Sequence, residues 1–507
     1  GWITLRADDG HRPILDGTSV TGDNMVLIDN RSFVRLVGFE IRNNLAVTDG
    51  SGVRILGSGS HIEIRDCEIH DIRGADAMGI TVYGTSTTSS ISEIIIDGNE
   101  IYDCDPAQSE ALTLNGNVER FEVTNNTVRD VNNIGIDFIG GETDINPTFV
   151  ARNGICRGNT VMRARANYGG GYGAGIYVDG AQDILIEGNR VTQCDLGIEI
   201  GAENAGINAT GIVVRDNLVY ANDKVGIVFG GYSATVGRTI GCSFRNNTCY
   251  GNDTLQTGVG ELWIQHASGN DIRNNIFFAG TQNVLLYSEL GNSNNTLDHN
   301  LWFTAAGSQS ATFVWRTTAY SNWTTYRNGS GQDASSQFVD PALRAPGADD
   351  FRLLASSPAV EAGDPNPLGA GDQDILGYPR SADGNLDGNA RIDQGAIEFS
   401  HITMAITGNA TPGGQLLIDL DGTAGMLTLL ALAQSEAVID LPPFGTLFFD
   451  PTAPTTVLVP AGPLPTQLSV PIPTTGVMGT FLFQAAGIQV TGGLVGNTSK
   501  RIDVELD

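Results

Sequence analysis

The sequence is poor in positive charge. Of its 507 residues only 28 are Lys or Arg, against 57 Asp or Glu, and the formal net charge at pH 7 is −29. Lysine occurs only at Lys224 and Lys500. Because proteins that bind nucleic-acid phosphates need clustered Lys and Arg, this composition argues against a nucleic-acid partner. An excess of acid is typical of secreted or cell-surface proteins, often ones that use calcium, so we expect that localisation.

The sequence also lacks long hydrophobic runs and sustained helical periodicity. No run reaches 18 apolar residues, so no membrane span is predicted. Glycine is abundant at 65 residues, and charged residues make up 17% of the chain. This combination predicts an all-β protein with many turns, and the length allows two or three domains. The chain begins "GWITLRADDG", without Met, so we expect it to be processed or trimmed.

Cysteine is scarce, and no two of the six residues have the spacing of a metal site. We interpret them as small core hydrophobes, with a disulfide framework as the alternative. The six are Cys67, Cys104, Cys156, Cys194, Cys242 and Cys249.

What the sequence does contain is a repeat built on the pattern "IxIxxN", a bend, a short strand, a loop and "GIxI". The repeat recurs every 23 to 33 residues, and Cys67 stands where one asparagine is missing. Asparagine tolerates the left-handed backbone of a sharp bend, and stacked Asn side chains can hydrogen-bond to each other. We therefore predict a solenoid of about ten or more coils. The repeat asparagines are Asn44, Asn99, Asn126, Asn159, Asn189, Asn217, Asn247, Asn275 and Asn300.

Over residues 1–335 these repeats resemble the right-handed parallel β-helix family of pectate lyases and related polysaccharide-active proteins. The "NNIGIDFIGGE … GIYVDG … GIEIGAE … GGY … GEL" series is also similar to an uncharacterised secreted subgroup of β-helix proteins. The resemblance implies that the Asn ladder marks the bend between the second and third sheets. It also implies that the "GIxI" strands form the first sheet, which carries the substrate groove.

The "GIxI" strands place acidic and aromatic residues at outward positions. Side chains alternate along a strand, so Asp137 points away from the core when Ile136 and Phe138 point into it. The same rule aligns Asp137, Tyr177 and Glu199 on three successive coils, about 4.8 Å apart. Stacked like charges are unfavourable unless they have a use, although a solvated polar face is the simpler alternative. We predict an exposed groove walled by the 163–173 and 201–210 loops.

Carboxylates that act as acid and base, and aromatic rings that cover sugar faces, are typical of carbohydrate sites. The candidate catalytic residues are Asp137, Asp179 and Glu199. The candidate substrate-binding residues are Tyr177, Glu142, Glu203, Tyr168, Tyr232, Lys224, Trp263, Gln265 and His266.

Several functions fit these residues. A secreted enzyme that cleaves a polysaccharide is the first hypothesis, either as a hydrolase using two carboxylates or as a lyase. For a lyase, Lys224, Tyr177 and His266 are candidate bases, but no matching lyase motif is present. The alternatives are a non-catalytic protein that binds a glycan or acts at the cell surface, and a structural protein that forms filaments.

Two regions follow the predicted solenoid. Residues 336–400 resemble the tail found after β-helices in secreted proteins with sorting or anchoring modules, and we expect them to close the solenoid. Within them Asp383, Asn385 and Asp387 have the spacing of a calcium loop. Asp393 falls one place short of the twelfth position of such a loop, so a plain turn is the alternative.

Residues 401–507 are rich in Thr, Pro, Val, Leu and Gly, and their short apolar runs predict a small β-sandwich. We assign this accessory module no chemistry and expect a role in packing or in attachment to the cell surface.

Overall fold

A computed structural model describes residues 1–364, 373–380, 382–441, 444–475, 479–490 and 494–506. The chain forms two compact units, Gly1–Phe338 and Val339–Asp507. The first covers the predicted solenoid and the first three residues of the predicted tail, and the second contains the rest of that tail and the predicted sandwich.

The first unit is a right-handed parallel β-helix of about eleven coils, as predicted. The first sheet has the strands Val26–Asp29, Gly50–Leu56, Ala77–Gly84, Glu110–Gly116, Ile134–Ile139, Ala174–Asp179, Leu196–Gly201, Val225–Phe229, Leu262–Ile264, Val284–Ser288, Thr312–Trp315 and Thr318–Tyr320. The second sheet has Ile3–Arg6, Val34–Val37, Gly59–Arg65, Ile91–Asp97, Val118–Thr124, Arg152–Arg157, Gln182–Glu187, Val213–Arg215, Ser243–Arg245, Asp271–Arg273 and Thr296–Asp298, with Asn208–Thr210, Arg238–Ile240 and Ala267–Ser268 beside them. The third sheet has Ile14–Asp16, Glu40–Val47, Glu68–Gly74, Glu100–Tyr102, Thr127–Val131, Thr160–Ala164, Arg190–Thr192, Leu218–Tyr220, Thr248–Tyr250, Ile276–Ala279, Leu301–Thr304 and Gln337–Phe338.

The asparagine ladder is confirmed between the second and third sheets. From Asn99 to Asn275, each ladder side chain donates its Nδ2 hydrogen to the Oδ1 of the next ladder asparagine at 2.9–3.0 Å. Each Nδ2 also donates to a backbone carbonyl of the preceding coil, as Asn189 does to Cys156 at 3.0 Å. These side chains are fully buried, so the ladder satisfies backbone groups that the bends would leave without partners.

Two details of the ladder differ from the sequence interpretation. Asn44 is not a member: it pairs with Ile72, and the pairing of Glu40 with Glu68 puts Phe39 at the level of Cys67. The left-handed backbone also lies one residue earlier than expected, for example at Asn125, where φ is 54°. The ladder asparagine is therefore needed for its amide hydrogen bonds, while the preceding residue makes the bend.

The interior of the coils is filled by the inward-facing aliphatic and aromatic side chains of all three sheets. Phe121 and Phe138 stack in it with ring centroids 5.1 Å apart. All six cysteines are buried and free, as the core interpretation predicts. After the last coils a helix, Trp323–Ser330, begins at the N-cap Asn322, and its Tyr326 ring stacks on Phe313 with centroids 4.3 Å apart.

The second unit contains small antiparallel sheets. A hairpin of Leu343–Ala345 and Asp350–Leu353 flanks the 3₁₀ turn Pro346–Ala348. One sheet has Ile402–Gly408, Gln415–Gly422 and Thr466–Pro471, another has Val457–Pro463, Leu427–Ala433, Gly479–Val490, Leu494–Thr498 and Ile502–Leu506, and a hairpin joins Ile439–Leu441 with Gly445–Leu447. The two larger sheets share one apolar core that includes Ile418 and Phe483, which is the arrangement of a small β-sandwich.

No helix within the described ranges has the length and apolar character needed to cross a membrane.

Candidate active site

The outward column on the first sheet has the register that the sequence predicts. Thr113 pairs with Asp137, Asp137 with Tyr177, and Tyr177 with Glu199. The column continues from Glu199 to Val228 and then to Trp263. Because the strands are parallel and in register, these side chains emerge from successive coils on the same face.

The side chains of this face line a cavity of about 570 Å³, whereas the sequence predicts an exposed groove. Asp137 is only 1% exposed, and Tyr177 and Asp179 are each 5% exposed. Tyr168, from the 163–173 loop, and Glu203, from the 201–210 loop, contribute to the wall, as the sequence predicts. The loops between the coils rise above the sheet and exclude water from its outward side chains. The cavity lining is Asp49, Asp76, Tyr83, Gln108, Ser109, Glu110, Asn115, Asn133, Ile134, Asp137, Ile139, Glu142, Asp144, Ile145, Tyr168, Tyr177, Asp179 and Glu203.

Burial raises the pKa of the carboxyl groups in and around the cavity. Desolvation and the neighbouring carboxylates raise the pKa of Glu110 to about 8 and that of Asp179 to about 7. The same causes raise the pKa of Asp137 well above its usual value. On the next coil, burial and the charges of Glu203 and Asp179 raise the pKa of Glu199 to about 8. The site therefore holds protons near neutral pH, which an acid catalyst requires.

Asp137 and Asp179 differ in their hydrogen bonds. The Oδ1 atom of Asp137 is buried and has no hydrogen-bond partner among the described residues. Asp179 accepts the backbone N–H of Glu203 at its Oδ1, at 2.6 Å. A backbone hydrogen bond from Phe138 also reaches the Asp137 carboxyl, but the buried Oδ1 without a partner leaves Asp137 better suited to the protonated form and Asp179 to the charged form.

Tyr177 contacts both a carboxylate and a cluster of apolar side chains. Its ring lies against Gly201, where an added Cβ would be 3.2 Å from the Tyr177 hydroxyl, and its hydroxyl donates to Glu203 at 3.5 Å. The ring also belongs to a buried cluster that includes Leu196 and Val228. Burial raises the pKa of Tyr177. The ring is therefore held in place beside Asp137.

Two other binding candidates lie at the cavity wall. The Tyr168 hydroxyl donates to the Asn133 side chain at 3.0 Å, and Glu142 accepts from the Asn204 side chain at 3.4 Å. Burial raises the pKa of Tyr168.

The other candidates do not line the cavity. Glu199 lies on the coil beyond Tyr177, and Trp263, two coils further, donates its indole N–H to Glu289 at 3.0 Å. Lys224 donates to the Gly170 carbonyl and lies 3.5 Å from the centroid of the Tyr172 ring.

The remaining three candidates follow the strands Val225–Phe229 and Leu262–Ile264 of this face. Gln265 is buried, the His266 backbone pairs with Gly231, and Tyr232 is 61% exposed.

Sequence reasoning missed Glu110. It is the first residue of the strand Glu110–Gly116, preceding the apolar alternation that marked the other strands. It pairs in register with Ile134, the first residue of the strand that carries Asp137. An acidic residue at the start of a buried strand was the available signal.

Of the four residues of the predicted calcium loop, only two lie in a cluster of carboxylates in the structure. Asp383 and Asp387 each bring a carboxylate oxygen to within 4.8 Å of an oxygen of Glu361, which the sequence interpretation had not included. The Asn385 side chain accepts the N–H of Asp387 at 2.8 Å. Asp393 is fully buried and accepts backbone N–H groups instead.

The sequence matches the family described as "Right handed beta helix region" over residues 14–251 and again over 170–323. The chain belongs to this family. A relative is the uncharacterized protein YwoF of Bacillus subtilis (strain 168). It is 34% identical over 375 residues, which cover 70% of this chain and 79% of YwoF.

Two solved structures are similar in fold at low sequence identity. A mutant of DFA-IIIase from Arthrobacter chlorophenolicus A6 matches with a TM-score of 0.36 and 13% identity, over 63% of this chain and 77% of that one. A double mutant of the tailspike protein of Escherichia coli bacteriophage HK620 matches with a TM-score of 0.36 and 12% identity, over 93% of this chain and 86% of that one. With TM-scores below 0.5, neither likeness identifies a function.

Proposed function

We propose that the protein is a glycoside hydrolase that cleaves a neutral polysaccharide in the cavity of the first sheet. The observation that carries the proposal is Asp137: a nearly solvent-excluded carboxyl with an unpartnered oxygen, beside further carboxyls and the Tyr177 ring. Hydrolysis of a glycosidic bond needs one protonated and one ionised carboxyl across the bond. The aromatic rings of Tyr168 and Tyr177 suit the apolar faces of sugars.

The contrast between the carboxyl groups supports an assignment of roles. Asp137, which holds its proton, is the general acid that protonates the leaving oxygen. Asp179, which accepts a backbone hydrogen bond, is the carboxylate that acts as base or nucleophile. Glu199 is a second candidate for the ionised partner, on the far side of Tyr177.

The charge of the cavity supports a neutral substrate and hydrolysis rather than elimination. Eight of its lining residues are Asp or Glu, and none of the lining residues is Lys, Arg or His. The lining residues supply no side-chain cation to neutralise the uronate groups on which lyases act, and the nearby Arg54 is already paired with Asp49 at 2.8 Å.

The test is incubation of the full chain with a panel of neutral and acidic polysaccharides. Reducing ends report hydrolysis, and the absorbance of unsaturated products reports elimination. We expect reducing ends from a neutral glycan. We expect Asp137→Asn to lower kcat about 100-fold or more, because general acid catalysis contributes at least that factor.

Glu122→Gln is the matched control, because Glu122 is an exposed carboxylate of the second sheet and its removal should leave kcat unchanged. Full activity in both Asp137→Asn and Glu199→Gln would remove the acidic column from the mechanism. Binding of a glycan without turnover would instead support the alternative, a non-catalytic protein that binds glycans.

The acidic composition supports a place of action outside the cell or at its surface, and we extend the proposal to that localisation. Attachment through residues 401–507 stays a prediction.

A further inference from the structure

The second unit contains a carboxylate cluster that has no part in the proposed hydrolysis. Glu361, Asp383 and Asp387 each present one carboxylate oxygen, and the three oxygens lie within 4.8 Å of one another. Oxygens bound to one calcium ion lie about 2.3–2.6 Å from it, so any two of them are no more than about 5 Å apart. The spacing of the cluster is therefore that of ligands sharing one cation.

Glu361 supplies an independent sign of a ligand. Its side chain is 6% exposed, and its Oε1 atom accepts the backbone N–H of Asn385 at 3.2 Å. Its Oε2 atom is buried without a hydrogen-bond partner among the described residues. A buried carboxylate oxygen without a partner is costly, and a cation at the cluster would provide that partner.

The loop that follows Asp383 is folded so that its carboxylates converge. Asp383 is fully buried and accepts the N–H groups of Asp387 at 3.0 Å and Gly388 at 2.9 Å. Gly388 has a φ of 90°, which favours glycine. Asp387 is exposed, so the cluster has a side from which an ion can enter from solvent.

Asp393 positions the cluster rather than joining it. Its Oδ1 accepts the N–H of Glu361 at 2.6 Å, and its Oδ2 accepts the N–H of Phe399 at 2.6 Å. These bonds fix the backbone that carries the Glu361 side chain. In a calcium loop of the usual motif, the acid at the twelfth position is a ligand. Here Glu361, from upstream in the chain, takes that place in the cluster, and Asp393 does not.

We propose that Glu361, Asp383 and Asp387 bind a calcium ion that stabilises the second unit. The three ligands are hard carboxylate oxygens, and none is the imidazole or thiolate that zinc and copper sites use. Calcium accepts flexible coordination geometries, whereas magnesium demands a near-ideal octahedron and retains its water. The proposal does not depend on the hydrolase assignment, because the three residues lie outside the cavity of the first sheet.

The experiment uses the full chain after dialysis against EGTA. Calorimetric titration with CaCl₂ and, in parallel, MgCl₂ measures affinity, and thermal unfolding with and without each ion measures stabilisation. We expect one calcium ion per chain and a higher Tm with calcium, because an ion that binds only the folded state stabilises it. Glu361→Gln and Asp387→Asn should each weaken calcium binding about tenfold or more.

Asp421→Asn is the matched control, since Asp421 is an exposed carboxylate of the same unit and lies outside the cluster. It should keep wild-type affinity. Asp387→Asn guards against misfolding of the buried Glu361 variant, because Asp387 is exposed. Absence of calcium binding by the wild type, equal affinity for magnesium, or wild-type affinity in both cluster variants would overturn the proposal. Glycan turnover measured in EGTA separates this outcome from failure of the hydrolase assignment.

Discussion

Asp137 and Tyr177 are register partners on adjacent parallel strands of the first sheet, and both are nearly excluded from solvent. The ring beside the carboxyl removes water that would stabilise its charge. The pKa of both groups is raised, with burial as the main cause. This pairing makes the cavity a place where carboxyl groups keep their protons at neutral pH.

Stability should depend on the protonation of these groups. Glu110 has an ordinary pKa of 4.5, raised to about 8 by burial in the folded protein. Between these values the folded state binds more protons than the unfolded state, so the group stabilises at low pH and this stabilisation is lost as pH rises toward 8. We expect Tm to fall between about pH 5 and pH 9, and Glu110→Gln to reduce that fall. Thermal unfolding of the wild type and of Glu110→Gln across this pH range measures both changes in Tm.

The exposed Glu122→Gln variant should keep the wild-type pH dependence. A Glu110→Gln protein with an unchanged slope of Tm against pH would show that the proton is held elsewhere.

The ladder should be sensitive to single substitutions. Asn189→Ala removes the side-chain acceptor of the Asn159 N–H and the donor to the Cys156 carbonyl. Each buried group left without a partner costs about 1–3 kcal/mol, so we expect a loss of about 3 kcal/mol or more in the free energy of unfolding. Denaturant unfolding of the full chain measures the change.

Asn328→Ala is the control for the ladder, because Asn328 is an exposed residue of the helix Trp323–Ser330 and should change stability by less than about 0.5 kcal/mol. Equal effects of the two substitutions would contradict the structural importance of the amide stack.

The cysteines should be inaccessible until the protein unfolds. All six are buried and free, and burial raises the pKa of Cys104, Cys156, Cys194 and Cys242 to about 12. Because the thiolate is the reactive form, a thiol reagent should label almost none of them in the native protein and all six in denaturant. A reducing agent should leave Tm unchanged. Fewer than six reactive thiols in denaturant without reductant would reveal a disulfide.

The sequence predicts the repeat well because the same physical requirement recurs in every coil. The alternation around Asp137, Tyr177 and Glu199 was sufficient to place them in one column, and the register confirms it. Asn44 was misplaced because "IRNN" has the local pattern of a ladder segment, whereas the pairing of Glu40 with Glu68 sets its register. Local pattern alone cannot distinguish these two cases.

The site was less predictable, because burial and convergence depend on loops. Tyr177 and Asp137 are enclosed by loops whose paths have no periodicity in the sequence. Glu361 meets Asp383 only through the fold of the second unit, and no spacing rule connects the two positions. The sequence around a strand residue predicts the direction in which its side chain points. It does not predict which loops bury that side chain or which distant residues contact it.

The bends that carry the asparagine ladder have a consequence for how this scaffold diversifies. After the first coil, the connection between the second and third sheets is two residues long, as from Asp97 to Glu100 and from Arg157 to Thr160. From the first sheet to the second, the connection varies from the short step after Asp179 to the long excursion between Ile139 and Arg152. The connection from the third sheet back to the first varies as well, from two residues after Val131 to nine between Ala164 and Ala174. Insertions are therefore tolerated on both sides of the first sheet and opposed at the ladder bend. Evolution can reshape the walls of the cavity through the connections on both sides of the first sheet, while the amide stack preserves the spacing of the coils.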